Sequence, residues 1–154
     1  MPNLAMLLPL LALQSQQLTA AELSIGGAAA MARRTFAGAE VGLAHRPSSD
    51  TRIAAAFAGG ELAGRTAARA QVTLQLMINP FARTGVGLYG GVGAAFLARR
   101  GSPGQGFLAV LLGIERAPGR RHSGYLELGL AGGMRAAVGW RVRWFPSWWR
   151  GRGG

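Results

Sequence analysis

From Thr84 to Arg99 the chain alternates between large apolar and small or polar side chains. The even positions carry Val86, Leu88, Val92, Ala94 and Phe96; the odd ones carry Gly85, Gly87, Tyr89, Gly91, Gly93 and Arg99. The segments around 107–116, 123–130 and 134–144 keep the same even-apolar parity. Successive side chains of a strand point to opposite faces, so a period of two predicts strands. The even face is continuously apolar, while the odd face mixes glycine with scattered Glu and Arg. That is the pattern of a barrel with its apolar face turned to lipid and its polar face turned inward.

Punctuation by Gly, Pro, Ser and Asn divides the chain into eight strand-sized pieces. They lie at about 22–32, 36–46, 51–59, 65–78, 84–98, 106–116, 123–131 and 134–145. Residues 65–78 are the most regular, with Val72, Leu74, Leu76 and Ile78 opposing Arg69, Gln71, Thr73 and Gln75. Asn79-Pro80 ends that piece because Pro cannot continue a ladder. Short links between consecutive strands make an up-and-down antiparallel meander the simplest topology. Eight strands is a number that closes, and lipid offers no partner to an open edge. The Ala-rich stretch 54–70 also permits a helix on propensity alone. A helical membrane protein fits less well, because Val86–Ala98 is only thirteen residues long.

With 154 residues the chain is one domain, and it contains no cysteine, so it has no disulfide or thiolate site. All 17 basic residues are Arg, against six acids, for a net charge of +11. The arginines are spread singly or in pairs at segment ends, as in Arg33-Arg34, Arg99-Arg100 and Arg120-Arg121. This placement suits strand ends beside a charged membrane surface. A nucleic-acid protein clusters its basic residues with aromatics on one face, so nucleic acid is not an expected partner. The short Trp148-Trp149-Arg150-Gly151-Arg152 tail is one weak echo of such a segment.

The N-terminal run of ten apolar residues at 4–13 is too short for a spanning helix and fits the core of a secretory signal. Small residues at Thr19-Ala20-Ala21 place the expected cleavage near residue 21. The domain plan is therefore a signal segment at 1–21, a barrel at 22–145 and a short tail at 146–154. With this run, the dyad pattern and a last strand ending in Trp140, Trp144 and Phe145, the chain resembles the small eight-stranded outer-membrane β-barrel proteins of Gram-negative bacteria. It departs from their terminal-aromatic assembly signal, because Pro146–Gly154 follow Phe145. The resemblance implies an all-β, eight-stranded transmembrane barrel, localisation in the outer membrane after passage through the inner one, and membrane lipids as partners, lipopolysaccharide among them.

Candidate chemistry is sparse. His122 and Ser123 are neighbours and face opposite sides of a strand. His45 shares the outward parity of its strand, and Asp50 lies in a turn, so no nucleophile–base–orienter set assembles. No metal site and no cofactor are expected, and an enzyme is not. The inward polar set is richer: Glu40, Glu115 and Glu127 share inward parity with Arg52, Arg69, Arg135, Arg141 and Arg143. Unpaired charges in a narrow lumen are costly, so these residues are expected to pair as a plug. Glu127 is expected diagonal to Arg135, with Arg141 and Arg143 reaching Glu40 or Glu115. Glycines 85, 87, 91 and 93 thin one wall, leaving space for large neighbours such as Arg141 or for a small cavity. Phe57, Phe96, Trp140 and Trp144 are expected to face lipid. The sequence thus points to a structural or interaction protein. Two alternatives stay open: a soluble lipocalin-like barrel holding a small apolar ligand, and a narrow Arg-lined anion-selective pore.

Overall fold

The computed structural model describes residues 17–150. Its strands are β1 (Ala20–Met31), β2 (Thr35–Arg46), β3 (Thr51–Leu62), β4 (Arg65–Ile78), β5 (Val86–Arg99), β6 (Ser102–Arg116), β7 (His122–Leu130) and β8 (Met134–Trp144). Each strand pairs antiparallel with the next. β1 and β8 then close the sheet, from Ala21↔Trp144 to Met31↔Met134. The result is a closed eight-stranded up-and-down barrel. The Ala-rich stretch 54–70 is strand in β3 and β4 on either side of the Ala63-Gly64 turn. Pairing with β2, β4 and β5 supplies the strand residues of that stretch with ladder partners, and this outweighs alanine's helix propensity.

The start of β1 and the end of β8 lie at one end of the barrel, together with the connections 47–50, 79–85 and 117–121. The far-end connections are tighter. Ala63-Gly64 joins Leu62 to its partner Arg65 with φ of 51° and 73°, the paired positive values of a type I′ hairpin. Glycine accepts such a φ freely, while Ala63 is held there by the register on either side. A four-residue helix, α1 (Ser147–Arg150), follows β8. Trp149 from α1 packs against Phe81 and Phe145 at ring-centroid distances of 5.7 and 6.2 Å and caps the barrel's termini end.

The outward face is apolar around the whole circumference, with Leu43 66 %, Leu76 64 % and Leu112 72 % exposed. Phe57, Phe96, Trp140 and Trp144 all point outward and are about half exposed. The inward face holds the buried charges. A soluble barrel with an apolar pocket would have the faces reversed.

The apolar run at 4–13 lies outside the described residues. Its expected cleavage position does not, because β1 begins at Ala20 rather than 22, and Leu18 is fully buried against Ala20 and Phe145. The Leu18 N–H also donates to Ser49 Oγ at 2.9 Å. Cleavage near residue 21 would remove this contact and the first β1 pairs, Ala20↔Arg46 and Ala21↔Trp144. Burying a Leu side chain contributes about 2 kcal/mol. We therefore propose processing upstream of Gln17. Mass spectrometry of the exported protein is expected to find Leu18 retained; a mature N-terminus at 21 or 22 would overturn this.

Candidate functional site: the charged lumen

Ten charged side chains, six Arg and four Glu, are buried inside the barrel. They point inward because each sits at the inward parity of its strand, and they form two clusters.

The cluster nearer the termini is built around Glu115 of β6 and Glu22 of β1. Glu115 accepts from Arg141 at 2.5 Å, Arg143 at 2.6 Å, Arg52 at 3.1 Å and Arg46 at 3.3 Å. Glu22 pairs with Arg46, with Arg52 at 3.2 Å and with Arg143 at 3.4 Å. Arg52 also donates to Gln75 Oε1 at 2.7 Å, and Arg143 to Ser123 Oγ at 2.7 Å. This one cluster therefore ties together β1, β2, β3, β4, β6, β7 and β8.

The second cluster is centred on Arg135 of β8. Its guanidinium donates to Glu40 at 2.7 Å and to Glu127 at 2.9 Å. The register places Glu127 opposite Ala137, so Arg135 is its diagonal neighbour on the same face. Tyr89 of β5 donates to Glu127 at 2.8 Å, and Arg141 bridges the two clusters at 3.5 Å from Glu127. Arg69, nearer the far end, donates to the Ala131 carbonyl at 2.9 Å.

The buried charges do not cancel, since arginines exceed glutamates by two. Aromatic faces take up part of the excess. Arg52 lies 4.2 Å from the Tyr89 centroid, Arg141 lies 4.5 Å from Tyr125, and Arg46 lies 5.9 Å from Phe145.

Of the residues singled out by sequence, Arg141 and Arg143 meet Glu115, whereas Glu40 takes Arg135 instead. Glu22 and Arg46, both central, escaped the sequence reading. They stand at the ends of the expected strands 22–32 and 36–46. The signal that could have found them is parity: both share the inward phase of Glu40. The thin wall of β5 is not filled by Arg141. Gln75 packs against Gly91 and Pro118 against Gly87, where an added Cβ would come within 2.7 and 2.6 Å of those side chains. On β6, a Cβ at Gly113 would run into the Tyr89 ring, so glycine there lets that ring cross the lumen.

Little open space remains between the clusters. A cavity of about 30 Å³, bordered by Ser24, Gln71, Thr73 and Tyr125, has room for a water molecule or two. His122 is exposed, and Ser123 is buried and engaged by Arg143. Among the described residues no three His, Cys, Asp or Glu side chains come together to hold a metal ion.

The Glu127–Arg135 contact allows a direct measurement. Glu127→Gln and Arg135→Gln are each expected to lower unfolding stability. Their double-mutant cycle should show coupling of about 1–2 kcal/mol, within the usual range for residues in one network. Coupling indistinguishable from zero would reject the pair.

The closed eight-stranded antiparallel barrel defines the architectural class, and solved structures share that fold. The N-terminal β-barrel domain of Pseudomonas aeruginosa OprF superposes with a TM-score of 0.62 at 12 % identity, covering 83 % of this chain and 98 % of that one. Neisserial surface protein A gives a TM-score of 0.56 at 12 % identity, covering 82 % and 97 %. The attachment invasion locus protein Ail of Yersinia pestis, solved with the heparin analogue sucrose octasulfate, gives 0.53 at 17 % identity, covering 82 % and 99 %. No protein-family model and no curated protein matches the chain by sequence. The likeness is one of fold.

Proposed function

We propose that this chain is an outer-membrane barrel, inserted after export across the inner membrane, whose role is structural or interactive and not catalytic. Its lumen is a plug and not a conduit. The observation that carries this reading is the Glu115 cluster, which crosses the lumen and links seven of the eight strands. The apolar exterior supports the membrane setting, since such a surface is stable only against lipid or a partner. The shared fold with three surface or outer-membrane barrels supports the compartment. Lipopolysaccharide fits the far rim, where Arg33, Arg34, Arg65, Arg99 and Arg100 stand against the single acid Glu61.

Cell fractionation tests the setting: the protein should resist carbonate extraction and migrate differently on gels before and after heating. A freely soluble monomer would overturn it. Planar-bilayer recordings test the plug, with no steady conductance expected. Sustained anion-selective current would reject the plug in favour of an Arg-lined path.

A further inference from the structure

The barrel wall is not zipped along its whole length. β6 and β7 pair only from Val110↔Leu130 to Glu115↔Tyr125, whereas β7 and β8 pair from His122 onward. Arg116 and residues 122–124 therefore face one another without ladder bonds. The cause is local. Ala117 adopts a φ of 45° and turns the chain inward, so that Ala117, Pro118 and Gly119 are buried in the barrel mouth. Gly119 is held there, donating to the Ala82 carbonyl at 2.7 Å and accepting from Trp149 Nε1 at 2.9 Å.

The gap opens into a cleft of about 1280 Å³. One part of its lining is the barrel's outer apolar surface, at Val86, Ile114, Leu126 and Trp140. Another is basic, with Arg83, Arg116, Arg120, Arg121 and Arg150. Arg83 is committed to α1, lying 4.3 Å from the Trp149 ring and donating to the Trp149 carbonyl. Arg116, Arg120 and Arg121 are exposed, and none of the three takes part in an ion pair among the described residues. The one acid in the lining, Glu115, is neutralised from inside by four arginines.

We propose that this cleft seats an anionic glycerophospholipid, its phosphate held by Arg116, Arg120 and Arg121 and its acyl chains lying along Val86, Ile114 and Leu126. Guanidinium groups suit a phosphodiester because they donate in a planar fork. The apolar wall selects a tethered headgroup over a free anion, since a soluble phosphate would leave that surface unused. The proposal rests on the membrane reading above, and its test separates the two.

The full chain would be reconstituted in phosphatidylcholine nanodiscs with and without phosphatidylglycerol, and retained lipid measured by native mass spectrometry after release into detergent. The unmodified protein should retain phosphatidylglycerol selectively. Each basic residue near a membrane surface contributes about fivefold to anionic-lipid affinity, so Arg116→Gln/Arg120→Gln/Arg121→Gln should weaken selective retention by on the order of a hundredfold. Gly124→Phe is the charge-neutral counterpart. Gly124 faces the cleft with its nearest would-be Cβ neighbours at 3.8 Å, so a side chain fits there and fills the site. It should lose selectivity too, whereas Gly59→Phe, exposed on β3 outside the cleft with nothing within 4 Å of an added Cβ, should keep it. Equal loss in Gly59→Phe, or full retention in Gly124→Phe, would overturn the cleft site. Displacement by soluble glycerophosphoglycerol as effective as by the lipid would overturn the role of the acyl chains. Failure to insert into either nanodisc would sink the membrane reading itself; insertion without lipid preference would sink only this inference.

Discussion

Glu115→Gln is expected to lower the unfolding free energy by about 3–5 kcal/mol, the range for removing one partner of a buried ion pair. Glu115 is 1 % exposed and accepts from four guanidinium groups. Those four arginines already outnumber the two glutamates of their cluster, Glu22 and Glu115. The amide keeps the shape of the carboxylate and some of its hydrogen bonds, so the change isolates charge. Without the carboxylate, Glu22 alone faces four cations in a volume closed at the mouth by Pro118 and Trp149. Urea unfolding in lipid vesicles measures the loss. Arg143→Gln in the Glu115→Gln background should recover part of it, because that substitution removes one uncompensated cation. A Glu115→Gln barrel as stable as the unmodified one would mean that water reaches the cluster and screens it, and the plug would then be rejected.

The fold was legible because one rule, alternation with a period of two, operates along the whole chain and is not masked by a second buried face. It fixed which residues point out, down to Phe57, Phe96, Trp140 and Trp144. Ends were less legible. β1 starts at Ala20 and β3 runs on to Leu62 through Gly59-Gly60, because in a closed barrel the ladder continues wherever a neighbour offers bonds, even across residues that punctuate an open chain. Parity also named most of the lumen's charges, and the β7–β8 hairpin register indicated Glu127 with Arg135, but partners across the lumen were only partly legible. Pairing depends on stagger between strands that are distant in sequence, such as Glu40 with Arg135 and Arg52 with Glu115. Glu22 and Arg46 were missed for a different reason: residues at strand ends look like rim residues until the inward turn of 117–119 and the α1 cap are known to bury them. The β6–β7 gap was not legible at all, since it follows from the positive φ of a single alanine, Ala117, at a position where nothing in the sequence calls for one.

Leu112→Arg is expected to destabilise the folded barrel in lipid by about 2–4 kcal/mol, the cost of an Arg near the bilayer midplane on the outer face of such a barrel. Leu112 is 72 % exposed and lies outward on β6 between Gly90 of β5 and Leu128 of β7. The apolar positions Leu108, Val110 and Ile114 flank it along the strand, so the guanidinium has a long way to reach either rim. The contrast with Leu112→Ala is informative. In a packed core, truncating a buried leucine leaves a cavity that neighbours only partly fill, whereas lipid flows into the space vacated on a fluid-facing surface. Leu112→Ala should therefore cost far less than Leu112→Arg, an ordering that also separates this surface from a protein–protein interface. The chain has no native cysteine, so each introduced one is unique. Leu112→Cys in vesicles should be protected from a membrane-impermeant thiol reagent, while Arg120→Cys at the exposed rim should react. Reaction at position 112 as fast as at position 120 would place this face in water and overturn the assignment of the barrel's outside to lipid.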